Sequence, residues 1–147
     1  MAPVDISLGA VTPIKTTNQV LATATPGTTA NTALWVLQVL MAAAFVAAGS
    51  GKLFVSAERA ALFDAAFGTG PWFRYLTGSL ELLGALLLLV PGKIAYGAVL
   101  LACVMVGAVV AHLAVLHTPP TSALFLLVVV ALIAWGRRRQ FAGLFRF

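Results

Sequence analysis

Apolar residues in this chain come in long unbroken runs, not in the alternation of a half-buried strand or the narrow stripe of a soluble helix. The first charge-free run, "ALWVLQVLMAAAFVAAGSG", extends from Ala33 to Gly51. At 1.5 Å per residue it covers about 28 Å, close to the bilayer's hydrocarbon thickness of about 30 Å. A second run begins at Trp72 and ends at Val90, where Pro91-Gly92 stops it. A third reaches from Ile94 to Leu116, and a shorter fourth from Thr121 to Gly136. Pro119-Pro120 can open that last helix, since a first-turn proline gives up no needed N–H, and its length then reaches about 27 Å. The pattern predicts an all-α integral membrane protein, a four-transmembrane-helix bundle with helices at about 33–55, 72–90, 94–116 and 119–136.

The segments outside these runs read differently. Residues 1–32 are rich in threonine and broken by Pro3, Pro13 and Pro26, which predicts an irregular N-terminal tail. They show neither a basic start nor a compact apolar centre, so no cleavable signal is expected. Between the first two runs lies "VSAERAALFDAAFGTGP". There Leu62, Phe63, Ala66 and Phe67 recur at helical spacing, with Ser56 as candidate N-cap and Gly68 as candidate stop. This predicts a short amphipathic interfacial helix, either a plain connector or a lid.

Composition agrees with the pattern: 61% of residues are hydrophobic and 9% charged, against roughly a quarter charged in soluble domains. Net charge is +5, with the basic residues at helix ends and in the 137–147 tail "RRRQFAGLFRF", where they suit a membrane surface and no nucleic acid. Four crossings put both termini on one side, together with Lys15, Lys93, Arg137, Arg138, Arg139 and Arg146. The positive-inside rule makes that side cytoplasmic, with Trp35, Tyr96 and Trp135 at its boundary and Trp72, Phe73 and Tyr75 at the outer one.

Glu81 stands out against this background. It lies nine residues beyond Trp72, about 13 Å below the outer boundary. A charge at such depth costs at least about 2.5 kcal/mol, so it pairs, stays protonated or faces a wet cavity. Arg74, Gly78, Gly84 and Ala85 share its stripe, and the small residues let another helix approach. Lys52 closes the first helix, and His112 falls in the outer third of the third helix. By depth, Lys52, Arg74, Glu81 and His112 therefore form the candidate binding set, with Glu81 and His112 as candidate proton-handling groups. Either a permanent structural ion pair or a titrating site satisfies this pattern. Gln38 is assigned a hydrogen bond across the bundle.

Other chemistry is disfavoured. Cys103 is the one cysteine and lies on the face opposite His112, which excludes an internal disulfide and argues against a Cys–His catalytic pair and against a metal site. His112 and His117 are about 140° apart on one helix end, which argues against a haem held by this chain alone. "AAGSGK" closes a membrane helix and follows no strand, so it is no phosphate loop.

The stretches "AAGSGKLF" (Ala47–Phe54), "FGTGPWFRYLTGSLELLGALLLLVPG" (Phe67–Gly92), "MVGAVVAHL" (Met105–Leu113) and "TPPTSALFLL" together resemble the DoxX-like family of bacterial four-helix membrane proteins, over about residues 33–140. The resemblance implies a bacterial inner-membrane protein and places Lys52, Glu81 and His112 on the family's polar positions. Named relatives are linked to membrane oxidoreduction, one as a subunit associated with a thiosulfate:quinone oxidoreductase. It thus implies a small accessory subunit that anchors oxidoreductase partners in the lipid bilayer and borders a quinone site. A non-catalytic assembly scaffold, and a small-molecule or ion permease acting as a homo-oligomer, are the alternatives.

Overall fold

The computed structural model describes residues 28–143. The expected tail lies outside these residues except for its last five, which are helical. Helix α1 runs Thr28–Leu53, α2 Ala57–Phe67, α3 Pro71–Leu89, α4 Ile94–Ala114 and α5 Thr121–Gly136, followed by a 3₁₀ segment Arg138–Gly143. Among the described residues there is no strand. Helices α1, α3 and α4 are long and apolar enough to cross a membrane, and α5 is a shorter apolar helix. Pro120 sits at the N-cap of α5 rather than inside its first turn, so α5 rises about 24 Å. The Pro120 carbonyl accepts the first helical bond, from the Leu124 N–H at 2.9 Å.

The four long helices form a ring in the order α1, α3, α4, α5. Phe45, Leu88, Ile94, Leu101, Val130 and Ile133 fill its centre and are fully buried. Their outward neighbours, among them Leu40, Leu86, Val110, Phe125 and Leu132, are exposed, as lipid-facing side chains should be. Lipid tails are as apolar as these side chains, so the ring is held by close packing more than by apolar burial. Two glycine crossings show how. A Cβ on Gly49 would stand 2.8 Å from the Gly78 carbonyl oxygen, and one on Gly97 would stand 2.8 Å from that of Gly84. Thus α3 meets α1 on one side and α4 on the other, backbone against backbone.

One end of the ring carries the start of α1 and the end of α5 and is tightly closed. A Cβ on Gly136 would meet Leu34 at 2.9 Å, and Gln140 Oε1 accepts the Ala95 N–H at 2.9 Å, capping the start of α4. Three cations lie over rings there: Lys93 over Tyr96, Arg137 over Trp35 and Arg138 over Trp135. Such amphipathic pairs mark a membrane–water boundary. The distal end is looser and is flanked by α2. Gly68 ends α2 with φ 62°, and Gly70 follows at φ 71°, the left-handed geometry that glycine adopts without steric cost. Ser56 holds the N-cap position of α2, but its side chain makes no capping bond. The helix is fixed by Phe63, Phe67 and Phe73, whose centroids lie 4.6 Å (Phe63–Phe67) and 5.1 Å (Phe67–Phe73) apart.

Candidate functional site: a distal cavity with a paired glutamate

Lys52 and Glu81 face each other through the geometry of antiparallel helices. Each lies three residues beyond its glycine at the Gly49–Gly78 crossing, but the helices run in opposite senses. Their backbones therefore sit about 9 Å apart along the axis. Helical side chains lean toward their own N-terminus, so Lys52 reaches back and Glu81 reaches outward. They meet level with the crossing. Lys52 Nζ donates to Glu81 Oε2 at 2.7 Å and to Oε1 at 2.9 Å. The Glu81 side chain is 4% exposed and that of Lys52 27%. Two charge-assisted bonds to one carboxylate compensate a burial that neither ion would tolerate alone.

Arg74 lies about two turns further out on α3 than Glu81 and is buried. Its Nη1 donates to the Lys52 backbone carbonyl at 2.6 Å and its Nε to Asp64 Oδ1 at 3.3 Å, while its guanidinium lies over Tyr75 at 4.5 Å. The last carbonyls of a helix lack intrahelical donors, and Arg74 supplies one to the end of α1. Arg74 is thus a brace between α1, α2 and α3. Asp64 was not legible as its partner, because the pairing depends on how α2 folds back over α3.

Behind the ion pair opens a cavity of about 820 Å³. Lys52 and Glu81 border it, with His112 from α4 and Arg59, Phe63 and Phe67 from α2. Its remaining wall is mainly apolar, including Phe45, Leu80, Met105 and Leu126. The structure thus brings Lys52, Glu81 and His112 to one cavity and leaves Arg74 outside its wall. His112 is not bonded to Glu81. The chain reverses after α4 at His117, φ 49°, and Thr118 folds back so that its Oγ1 meets His112 Nδ1 at 2.8 Å. Nε2 of His112 then carries whichever role, donor or acceptor, Nδ1 does not take. Cys103, placed opposite His112 by helical angle, also borders the cavity, because the wall wraps around a wide arc of α4. Arg59 and the α2 phenylalanines were legible only as an amphipathic pattern.

The site offers a third Lys52 proton beyond the two given to Glu81, an imidazole edge, and aromatic walls. Among the described residues no group of three His, Cys, Asp or Glu side chains is arranged to hold a metal ion. Gln38 departs from expectation. It is fully buried, yet neither its Oε1 nor its Nε2 has a partner among the described residues; the side chains one and two turns further along its face, Met41, Ala42 and Phe45, are apolar.

Apolar helices of membrane-crossing length, glycine-mediated packing and a polar pair held inside the ring define a multi-pass helical membrane protein. Residues 36–136 match the DoxX-like family, and the chain belongs to that family. No curated protein sequence and no solved structure matches it.

Proposed function

We propose that this protein is a small accessory subunit of a bacterial membrane oxidoreductase, and that its distal cavity receives the head of a quinone. The cavity carries the reading: about 820 Å³ lies within the roughly 300–1,000 Å³ of small-molecule sites, which combine mostly apolar walls with a few placed polar groups. In this reading Lys52 donates to one quinone oxygen and His112 meets another. Glu81 exchanges a proton when the ligand draws Lys52 away, and the partner subunit supplies the electrons. All four apolar helices cross the bacterial inner membrane, with both termini on the cytoplasmic side, where the basic residues collect. The test is titration of the full chain in lipid nanodiscs with a short-chain, fully substituted benzoquinone, read by quenching of tryptophan fluorescence. Saturable quenching in wild type that is lost in Glu81→Gln supports the reading, and linear quenching alone sinks it. Purification in mild detergent from native membranes tests the second half, since flavin- or haem-containing partners should come with the chain.

A second reading has its own observation. The bidentate Lys52–Glu81 pair, tied to Arg74 through the Lys52 carbonyl, is what a purely structural clasp would look like. A scaffold without ligand chemistry would keep assembly of its partners intact in Glu81→Gln and lose only thermal stability.

A further inference from the structure

Arg137 follows α5 at the terminal end and touches α1 in two ways. Its Nη1 donates to Asn31 Oδ1 at 2.9 Å, and its guanidinium lies 5.5 Å from the Trp35 ring centre. The remaining edge, Nε and Nη2, is buried and has no hydrogen-bond partner among the described residues. These two N–H groups form the side of the guanidinium fork that matches a pair of oxygens on one carboxylate or phosphate. Leaving such charged donors unmet is costly, and burial lowers the basicity of Arg137 below its ordinary value.

Among the described residues the charge around it has one sign. Lys93, Arg137, Arg138 and Arg139 cluster at this end, while the three described acids, Glu58, Asp64 and Glu81, all belong to the distal half. Arg138 is turned to the Trp135 carbonyl and ring, so it does not compete for the same position. Trp35, Tyr96 and Trp135 mark this level as the membrane boundary, where phospholipid phosphates lie. The short 3₁₀ segment follows Arg137 directly, and its side-chain ties to the bundle among the described residues include the Gln140–Ala95 and Arg138–Trp135 bonds. Short 3₁₀ turns are among the more easily displaced parts of a fold.

We propose that the Nε–Nη2 edge of Arg137 seats an anionic phosphate group between the ends of α1 and α5, supplied by a phospholipid headgroup or by free phosphate. Asn31 and Trp35 fix the guanidinium so that its fork faces the anion without further rotamer loss. Lysine cannot replace it, having no planar fork.

Native mass spectrometry of the full chain in detergent tests this with three probes: phosphatidylglycerol, phosphatidylcholine and inorganic phosphate. Wild type should retain one phosphatidylglycerol in preference to phosphatidylcholine. Arg137→Lys should weaken it about tenfold or more, the worth of a charge-assisted bond, while Arg138→Lys and Arg139→Lys change it little. Competition by millimolar inorganic phosphate would mark the phosphate group as sufficient, and its failure would assign the site to the lipid. If Arg137→Lys does not fold, guanidinium ¹⁵N–³¹P proximity in the Arg138→Lys/Arg139→Lys/Arg146→Lys triple variant replaces it, and that contact should persist. No phosphatidylglycerol preference in wild type would overturn the proposal. So would a preference that survives Arg137→Lys.

Discussion

Lys52 and Glu81 form their two hydrogen bonds level with the place where Gly49 and Gly78 bring α1 and α3 into backbone contact. The glycine crossing sets the helix separation, and the antiparallel lean of the two side chains does the rest. The pair is therefore a consequence of the packing, and packing and pair should fail together.

Removing one member tests what the pair is for. Lys52→Met leaves Glu81 buried without its cation and should lower stability by about 3 kcal/mol. The double variant Lys52→Met/Glu81→Met removes both charges and should recover most of that loss. Thermal unfolding in one detergent measures both. If the cavity binds a quinone through these groups, the recovered double variant remains unable to bind it. A double variant that both folds and binds normally would leave Lys52 and Glu81 with no part in the site.

The glycine crossing itself is open to substitution. Gly49→Ala places a methyl 2.8 Å from a backbone oxygen that cannot move alone. It should cost about 1–3 kcal/mol through helix separation. A Cβ on Gly107 meets nothing within 4 Å, so Gly107→Ala should be neutral or slightly favourable through helix propensity. Equal melting temperatures for the two variants would contradict the close crossing.

These relationships explain what could be read in advance. Charge-free runs gave the helices, because a bilayer imposes length and apolarity on every residue of a span. Depth groups Lys52, Glu81 and His112 at one end, since rise per residue is fixed, and the three side chains border one cavity. Rotation about each helix axis is not fixed by a uniformly apolar sequence. Hence the partner of His112, Thr118, and the partner of Arg74, Asp64, were not legible. The unpartnered Gln38 and the fork of Arg137 were equally hidden, because both depend on what the facing helix lacks.

Arg74 should behave as a brace. Arg74→Lys removes the fork that reaches both the Lys52 carbonyl and Asp64, and should cost about 1.5–3 kcal/mol. Asp64→Asn keeps the carbonyl bond and should cost under about 1 kcal/mol, as expected for a partly exposed pair. Unfolding of the two single variants and the double variant gives the coupling directly. Strict additivity would mean that the Arg74–Asp64 contact contributes nothing to stability.

Cys103 provides a reporter for the cavity, because it borders the cavity wall and is the chain's one thiol. A bound ligand blocks approach from the cavity side. By mass action, a ligand at about ten times its dissociation constant leaves about a tenth of the sites open. Labelling by a small neutral maleimide should then slow by up to about tenfold when a fully substituted short-chain benzoquinone is added to the full chain in nanodiscs. Ala66→Trp places an indole on the α2 side of the same wall and fills the space a quinone head would take. It should slow labelling without ligand and abolish further protection, while leaving the Lys52–Glu81 pair and the melting temperature nearly unchanged. Unaltered labelling of wild type at saturating quinone would remove the cavity as a quinone site. It would leave the ion pair as a clasp within the bundle.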